Sequence, residues 1–175
     1  MTRFKPILVL VLISLSAALL LALTNSLTAP EIAKEEARKE KEALLTVLPS
    51  ATDFEALTLP ENAPATVTAV YRAKNGTGYA VRIETAGFAG GLKLLFGIDE
   101  NRRITGVYTL ATNETDGYGK LCAEDAYASQ FVGKGPSLSG VDAISGATKS
   151  SKAYESAARD AFLVYALLTE GGTEQ

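Results

Sequence analysis

Between Ile7 and Leu23 the chain carries no charged side chain, and Ser14 and Ser16 are the only polar ones. Extended from Phe4 to Leu27 the segment is about 24 residues long, enough at ~1.5 Å per residue to cross a hydrocarbon layer of ~30 Å. This run predicts a transmembrane helix over 7–27. Arg3 and Lys5 precede it, and the first charges after it, Glu31 and Lys34, cancel. Positive-inside bias therefore puts residues 1–6 in the cytoplasm and everything from about residue 28 outside, in the periplasm or extracellular space. A cleaved signal peptide also has a basic start and an apolar middle. Its apolar stretch is only about 7–15 residues, however, and here no clean Ala-x-Ala site follows Leu23 and no lipobox cysteine exists. The expectation is a single-pass anchor in the cell (inner) membrane.

The remainder reads as an ordinary soluble body. Mean hydropathy is +0.12 although 21% of residues are charged, as expected when one apolar segment is joined to a polar domain. A length of 175 residues allows one ordinary domain. There is no histidine and only one cysteine, Cys122. Ser-His-Asp and Cys-His catalytic units, His-ligated metals, cysteine-held iron–sulfur clusters and an intrachain disulfide are thereby excluded. Net charge is −3, so no nucleic-acid footprint is visible. Cys122 reads as a small buried hydrophobe.

Residues 28–64 read as a juxtamembrane helix and linker. Pro30 suits a first helical turn, Glu31, Glu35 and Glu36 suit the positive end of a helix dipole, and the helix is expected to run to about Leu48. Pro49, Pro60 and Pro64 then mark irregular chain. From 65 to 170 the pattern is that of an α+β domain. Val67, Ala69 and Tyr71 alternate with polar residues, Asn75-Gly76-Thr77-Gly78 is a turn, and Tyr79, Val81 and Ile83 resume the period of two, which predicts a hairpin. Leu92–Ile98 and Arg103–Leu110 are further strands, and 111–121 is a polar loop. Ala123–Phe131 is a short helix. Ser150 or Ser151 caps a last helix whose residues Tyr154, Ala157, Ala158, Ala161, Phe162, Tyr165 and Leu168 form a core-facing stripe. The predicted fold is thus one transmembrane helix followed by an extracytoplasmic antiparallel sheet with packing helices, and a tail at 171–175.

With histidine absent, chemistry must come from hydroxyls, carboxylates, lysines and backbone amides. Asp142-Ala143-Ile144-Ser145-Gly146-Ala147-Thr148-Lys149-Ser150-Ser151 combines small residues with the start of a helix. Free amides at a helix N-terminus favour a phosphate, and Lys149 and Lys152 add positive charge. The residues alone leave two readings open, a phosphate seat and a plain helix start.

The pattern Asp-x-x-Ser-Gly-Ala-Thr-x-Ser, here Asp142, Ser145, Gly146, Ala147, Thr148 and Ser150, resembles the modification signature of the FMN-binding domain family. A second stretch, Thr112-Asn113-Glu114-Thr115-Asp116-Gly117-Tyr118-Gly119, resembles that family's His-x-Glu-Thr-Pro-Gly-Leu-Gly loop, with Thr112, Asp116 and Tyr118 as departures. The anchor, followed by Leu27-Thr28-Ala29-Pro30-Glu31-Ile32, resembles the G subunits of Rnf-type ion-translocating ferredoxin:NAD oxidoreductases, which are related to the C subunits of sodium-translocating NADH:quinone reductases. Gly87-Phe88-Ala89-Gly90-Gly91 is similar to the family's glycine-rich turn.

The resemblance implies covalent FMN, joined as a phosphodiester to Thr148 by a separate flavin transferase that uses FAD and recognises Asp142. It implies cofactor contacts from Ser145, Gly146, Ala147, Lys149 and Ser150, and flavin-ring contacts from Glu114, Thr115, Tyr118 and Gly119. No metal ligand and no catalytic residue follows from it. It implies an electron-transfer subunit with other membrane subunits as partners, without a complete active site of its own. A stand-alone membrane-anchored flavin reductase shares the same motif, and a scaffold module without flavin remains the reading from another class.

Overall fold

The computed structural model describes residues 4–170; the expected tail at 171–175 and the basic Arg3 lie outside the described residues. Helix α1 runs Phe4–Val47. Residues up to Lys39 form one unit and residues from Glu40 onward a second. In the first unit the apolar side chains from Ile7 to Leu27 are exposed, as a lipid-facing helix requires. It is the one helix among the described residues long and apolar enough to cross a membrane. Pro30, expected in a first turn, lies inside this helix. A proline removes one backbone donor and is disfavoured in a helix interior, so the sequence signal for a helix start was sound locally. The helix nevertheless continues on both sides, and beyond Pro30 it carries the pairs Glu31–Lys34 and Glu35–Arg38.

The second unit is built on a five-stranded antiparallel meander in the order β1-β2-β3-β4-β5. The strands are β1 Phe54–Leu57, β2 Val67–Ala73, β3 Gly78–Ala86, β4 Gly91–Asp99 and β5 Ile104–Thr112. Strand β1 lies in the stretch expected to be irregular linker. It pairs with β2 from Phe54↔Ala73 to Leu57↔Val70. Four residues are too few for alternation to show, and Pro49 and Pro60 on either side gave the stronger local signal. The predicted hairpin is β2–β3, closed through Gly76 at φ +79°.

Both faces of the sheet are covered. On one, Val81 and Ile83 of β3 and Leu94, Phe96 and Ile98 of β4 pack with Tyr154, Ala157, Ala158, Ala161 and Phe162 of the last helix, α3 Thr148–Glu170. Between β5 and α3 the chain forms 3-10 turns at Gly119–Ala123 and Ser129–Phe131 around the single-turn helix α2, Asp125–Ala128. This broken piece replaces the continuous helix expected at 123–131. Tyr127 sits edge-on to Phe131 and Tyr154, with ring centroids 5.5 and 5.7 Å apart.

On the other face, Ala43, Leu44 and Val47 at the end of α1 pack on Ala80 and Leu95. The approach is close because Gly97 and Gly106, opposite each other in the β4–β5 register, have no side chains. A Cβ on Gly97 would fall 2.1 Å from the Val47 carbonyl oxygen, and one on Gly106 would fall 2.8 Å from the Val47 Cα. That carbonyl also accepts the Thr105 hydroxyl. Two turns before Val47, Glu40 accepts from Tyr71 Oη at 2.8 Å and from Arg82 at 3.1 Å.

This packing can be tested in two ways. Gly97→Ala forces the end of α1 off the sheet, and overpacking of this kind costs roughly 1–3 kcal/mol. The detergent-solubilised chain should melt several degrees lower than wild type, and an unchanged Tm would contradict the packing. Burial pushes the hydroxyls of Tyr71, Tyr127 and Tyr154 up to about 12, with Glu40 reinforcing the shift at Tyr71. A folded-state value raised above the ordinary 10 gives stability that is full below pH 10 and lost as pH rises through about 12. Denaturant midpoints measured across that window should therefore fall with rising pH.

Candidate cofactor site at the start of the last helix

Three separate segments meet at the N-terminus of α3. The first is the β3–β4 turn, which carries Phe88. The second is the chain after β5, with Glu114, Thr115, Tyr118 and Gly119. The third is the start of α3, with Gly146, Ala147, Lys149 and Ser150. Together they line a cavity of about 260 Å³ with mainly apolar walls. Its size lies just below the roughly 300–1,000 Å³ of ordinary ligand pockets. Phe88 and Tyr118 are 72% and 63% exposed, so both rings present apolar surface at the cavity.

Helix α3 begins at Thr148, earlier than the serine caps predict. Ala147 stands in the cap position, its carbonyl accepting from the Ser151 N–H at 2.9 Å. Ser150 and Ser151 are instead fully buried inside the first turn. The Ser150 hydroxyl donates to Glu114 Oε2 at 2.8 Å, and the Ser151 hydroxyl accepts the Ile144 N–H at 3.1 Å. Their side chains thus tie the helix start to neighbouring segments, and the first-turn amides stay without intrahelical acceptors. Gly146, at φ +82°, takes the left-handed conformation that turns the chain into the helix. A Cβ there would stand 3.6 Å from the Tyr118 ring.

Of the residues singled out in the sequence, Gly146, Ala147, Lys149, Ser150, Glu114, Thr115, Tyr118 and Gly119 come together around the cavity. Thr148 is the exposed first residue of α3, immediately between the lining residues Ala147 and Lys149. Ser145 is also exposed and lies beside Gly146, outside the lining. Asp142 is exposed, and its backbone N–H donates to Gln130 Oε1 at 2.9 Å. Phe88 was not among the predicted site residues. A bulky aromatic set among four small residues, Gly87, Ala89, Gly90 and Gly91, was the signal that could have found it. Lys149 Nζ lies 5.6 Å from the Phe88 ring centroid, a cation–π contact across the cavity mouth.

Cys122 packs behind this wall, fully buried, with its sulfur 3.5 Å from the Ser151 hydroxyl. Burial pushes its thiol up, and the nearby Glu114 charge adds to the shift against the lowering effect of Ser151. A thiol held in its neutral form is a packing residue, as read from the sequence. No group of three or more potential metal-ligating side chains occurs among the described residues.

The chemistry of this donor set is that of a site for an anionic, aromatic cofactor. Two exposed rings offer flat apolar surface, the open amides and Lys149 offer positive potential, and Gly146 and Ala147 leave the backbone approachable. Comparison with known proteins agrees with this. The FMN-binding domain family matches residues 87–162, which include the Phe88 turn, the Glu114 segment and most of α3. The G subunit of the ion-translocating oxidoreductase complex of Methanosarcina acetivorans is 37% identical over 163 residues, 85% of this chain and 87% of that protein. The G subunit of the Na(+)-translocating ferredoxin:NAD(+) oxidoreductase complex of Acetobacterium woodii is 34% identical over 194 residues, 95% of this chain and 93% of its own length. The chain belongs to the FMN-binding domain family, in the group formed by the G subunits of ion-translocating oxidoreductase complexes.

Proposed function

We propose that this chain is a membrane-anchored flavoprotein subunit that holds FMN as a phosphodiester on Thr148 and relays electrons within an Rnf-type ion-translocating oxidoreductase complex. The observation that carries the reading is the position of Thr148, an exposed hydroxyl on the first residue of α3 beside a cavity lined by both family motifs. The neighbouring hydroxyls of Ser150 and Ser151 are buried and engaged, so they do not compete as attachment points. When bound, FMN supplies the redox chemistry.

The protein's own residues hold and orient the group. The first-turn amides and Lys149 balance the single negative charge of the phosphodiester. Phe88 and Tyr118 give apolar faces to the ring system, and Tyr118 provides a larger one than the family's usual leucine. Attachment would join the Thr148 Oγ to the phosphorus of the FMN half of FAD, break the phosphoanhydride and release AMP and the hydroxyl proton. A flavin transferase performs it, reading the exposed Asp142. Partners are the other membrane subunits of the complex. The domain stands on the outer side of the cell membrane with the N-terminus in the cytoplasm, which the basic Arg3 and Lys5 and the apolar 7–27 segment support.

Two outcomes are expected. Wild-type protein made with the transferase should exceed its polypeptide mass by one FMN residue and keep flavin fluorescence in a denaturing gel, and Thr148→Ala should lose both. Fluorescence retained in the variant would remove Thr148 from the role, while a bare wild-type polypeptide would leave a scaffold module. Protease added to intact cells whose outer surface is accessible should digest the domain and spare a tag at residue 1. Digestion of the tag alone would reverse the orientation.

A further inference from the structure

Glu114 is only 3% exposed, yet its carboxylate lines the cavity. Oε2 accepts from the Ser150 hydroxyl at 2.8 Å, and Oε1 accepts from the Ala89 N–H at 3.2 Å. The Glu114 N–H donates to Thr112 Oγ1 at 3.1 Å, which fixes the base of the side chain. Two glycines enclose the carboxylate. A Cβ on Gly87 would fall 2.1 Å from Oε1, and one on Gly119 would fall 2.1 Å from Oε2. No lysine or arginine among the described residues forms an ion pair with it. Lys149 Nζ, on the same cavity, lies over Phe88.

A buried carboxylate without a cationic partner is expensive, and two neutral donors only partly offset that cost. Holding three segments together would need an acceptor there but not a charge, since an amide of the same length can receive the same donors. The charge therefore has a consequence for whatever occupies the cavity. We infer that Glu114 is the potential-setting residue of the site, its negative charge holding down the reduction potential of a flavin seated in this cavity. The inference rests on the flavin reading above.

The sign follows from charge balance. Uptake of two electrons and one proton leaves the reduced flavin with one more negative charge than the oxidised form. A fixed negative charge in the wall opposes that gain, and Glu114, being buried, is screened less than a surface charge. At an effective dielectric of about 20, a unit charge acting over roughly 10 Å changes such an equilibrium on the order of tenfold.

Glu114→Gln separates charge from shape. Its amide oxygen can take the Ala89 N–H, and the Ser150 hydroxyl can rotate to meet the amide nitrogen. The test is a spectroelectrochemical titration, with dithionite as reductant, of the full detergent-solubilised chain made with the flavin transferase. The variant's reduction equilibrium should shift at least tenfold toward the reduced form, about 30 mV upward for a two-electron couple. Loaded wild type and variant with equal potentials would overturn the inference and leave the flavin reading standing. Wild type without flavin would overturn both. If Glu114→Gln does not fold, Glu114→Met gives the same reading, and unfolding of both variants by circular dichroism would make Glu114 a purely structural clasp and overturn the redox role.

Discussion

The close contact between Val47 and the Gly97–Gly106 pair fixes how this protein is assembled. Both faces of the five-stranded sheet carry buried apolar side chains, so each needs a cover. Helix α3 covers the first face with a broad stripe of alanines and aromatics. The second face is covered by the final turns of α1, and those turns fit because two adjacent strands give up their side chains where the helix backbone passes. Burying Leu44 and Val47 there contributes on the order of 1.5–3 kcal/mol each. The Glu40 contacts with Tyr71 and Arg82 set the helix in register beside it.

That same arrangement explains what could be read in the sequence. The lipid-facing run, the β2–β3 hairpin and the stripe on α3 all follow from periodicities that local residues enforce, and each was legible. The role of Ala43, Leu44 and Val47 was not. In one dimension they are a thin stripe on a charged helix, and the matching surface, Gly97 with Gly106, lies some fifty residues away in two strands where glycine otherwise signals weakness. Strand β1 was hidden for a related reason, since a four-residue edge strand is specified by its partner β2 more than by itself. Pro30 misled in the other direction, because its local preference was overridden by the helix on either side of it.

The site was legible in a different way. Its motif residues carry little periodic signal, but Gly146, Thr148, Glu114 and Gly119 could be singled out by resemblance, and most of the residues so named gather around one cavity. Missed were Phe88, whose segment was read only as a glycine-rich turn, and the inward use of Ser150 and Ser151. Both serines look like caps. In the folded chain Ala147 takes the cap position, and the serine hydroxyls bind the wall behind the helix. The cavity is thereby assembled from loops that only the completed sheet and α3 bring together, so its geometry depends on the fold as a whole.

Because the last turns of α1 are one wall of the domain core, the apolar segment and the domain share one continuous helix. A nick in the 49–64 segment leaves the sheet still gripping the stub of its own tether. A water-soluble version cut away at that segment would expose Ala80, Leu95 and the bare glycine pair to solvent. The division between the two units therefore falls between Lys39 and Glu40, within a single helix.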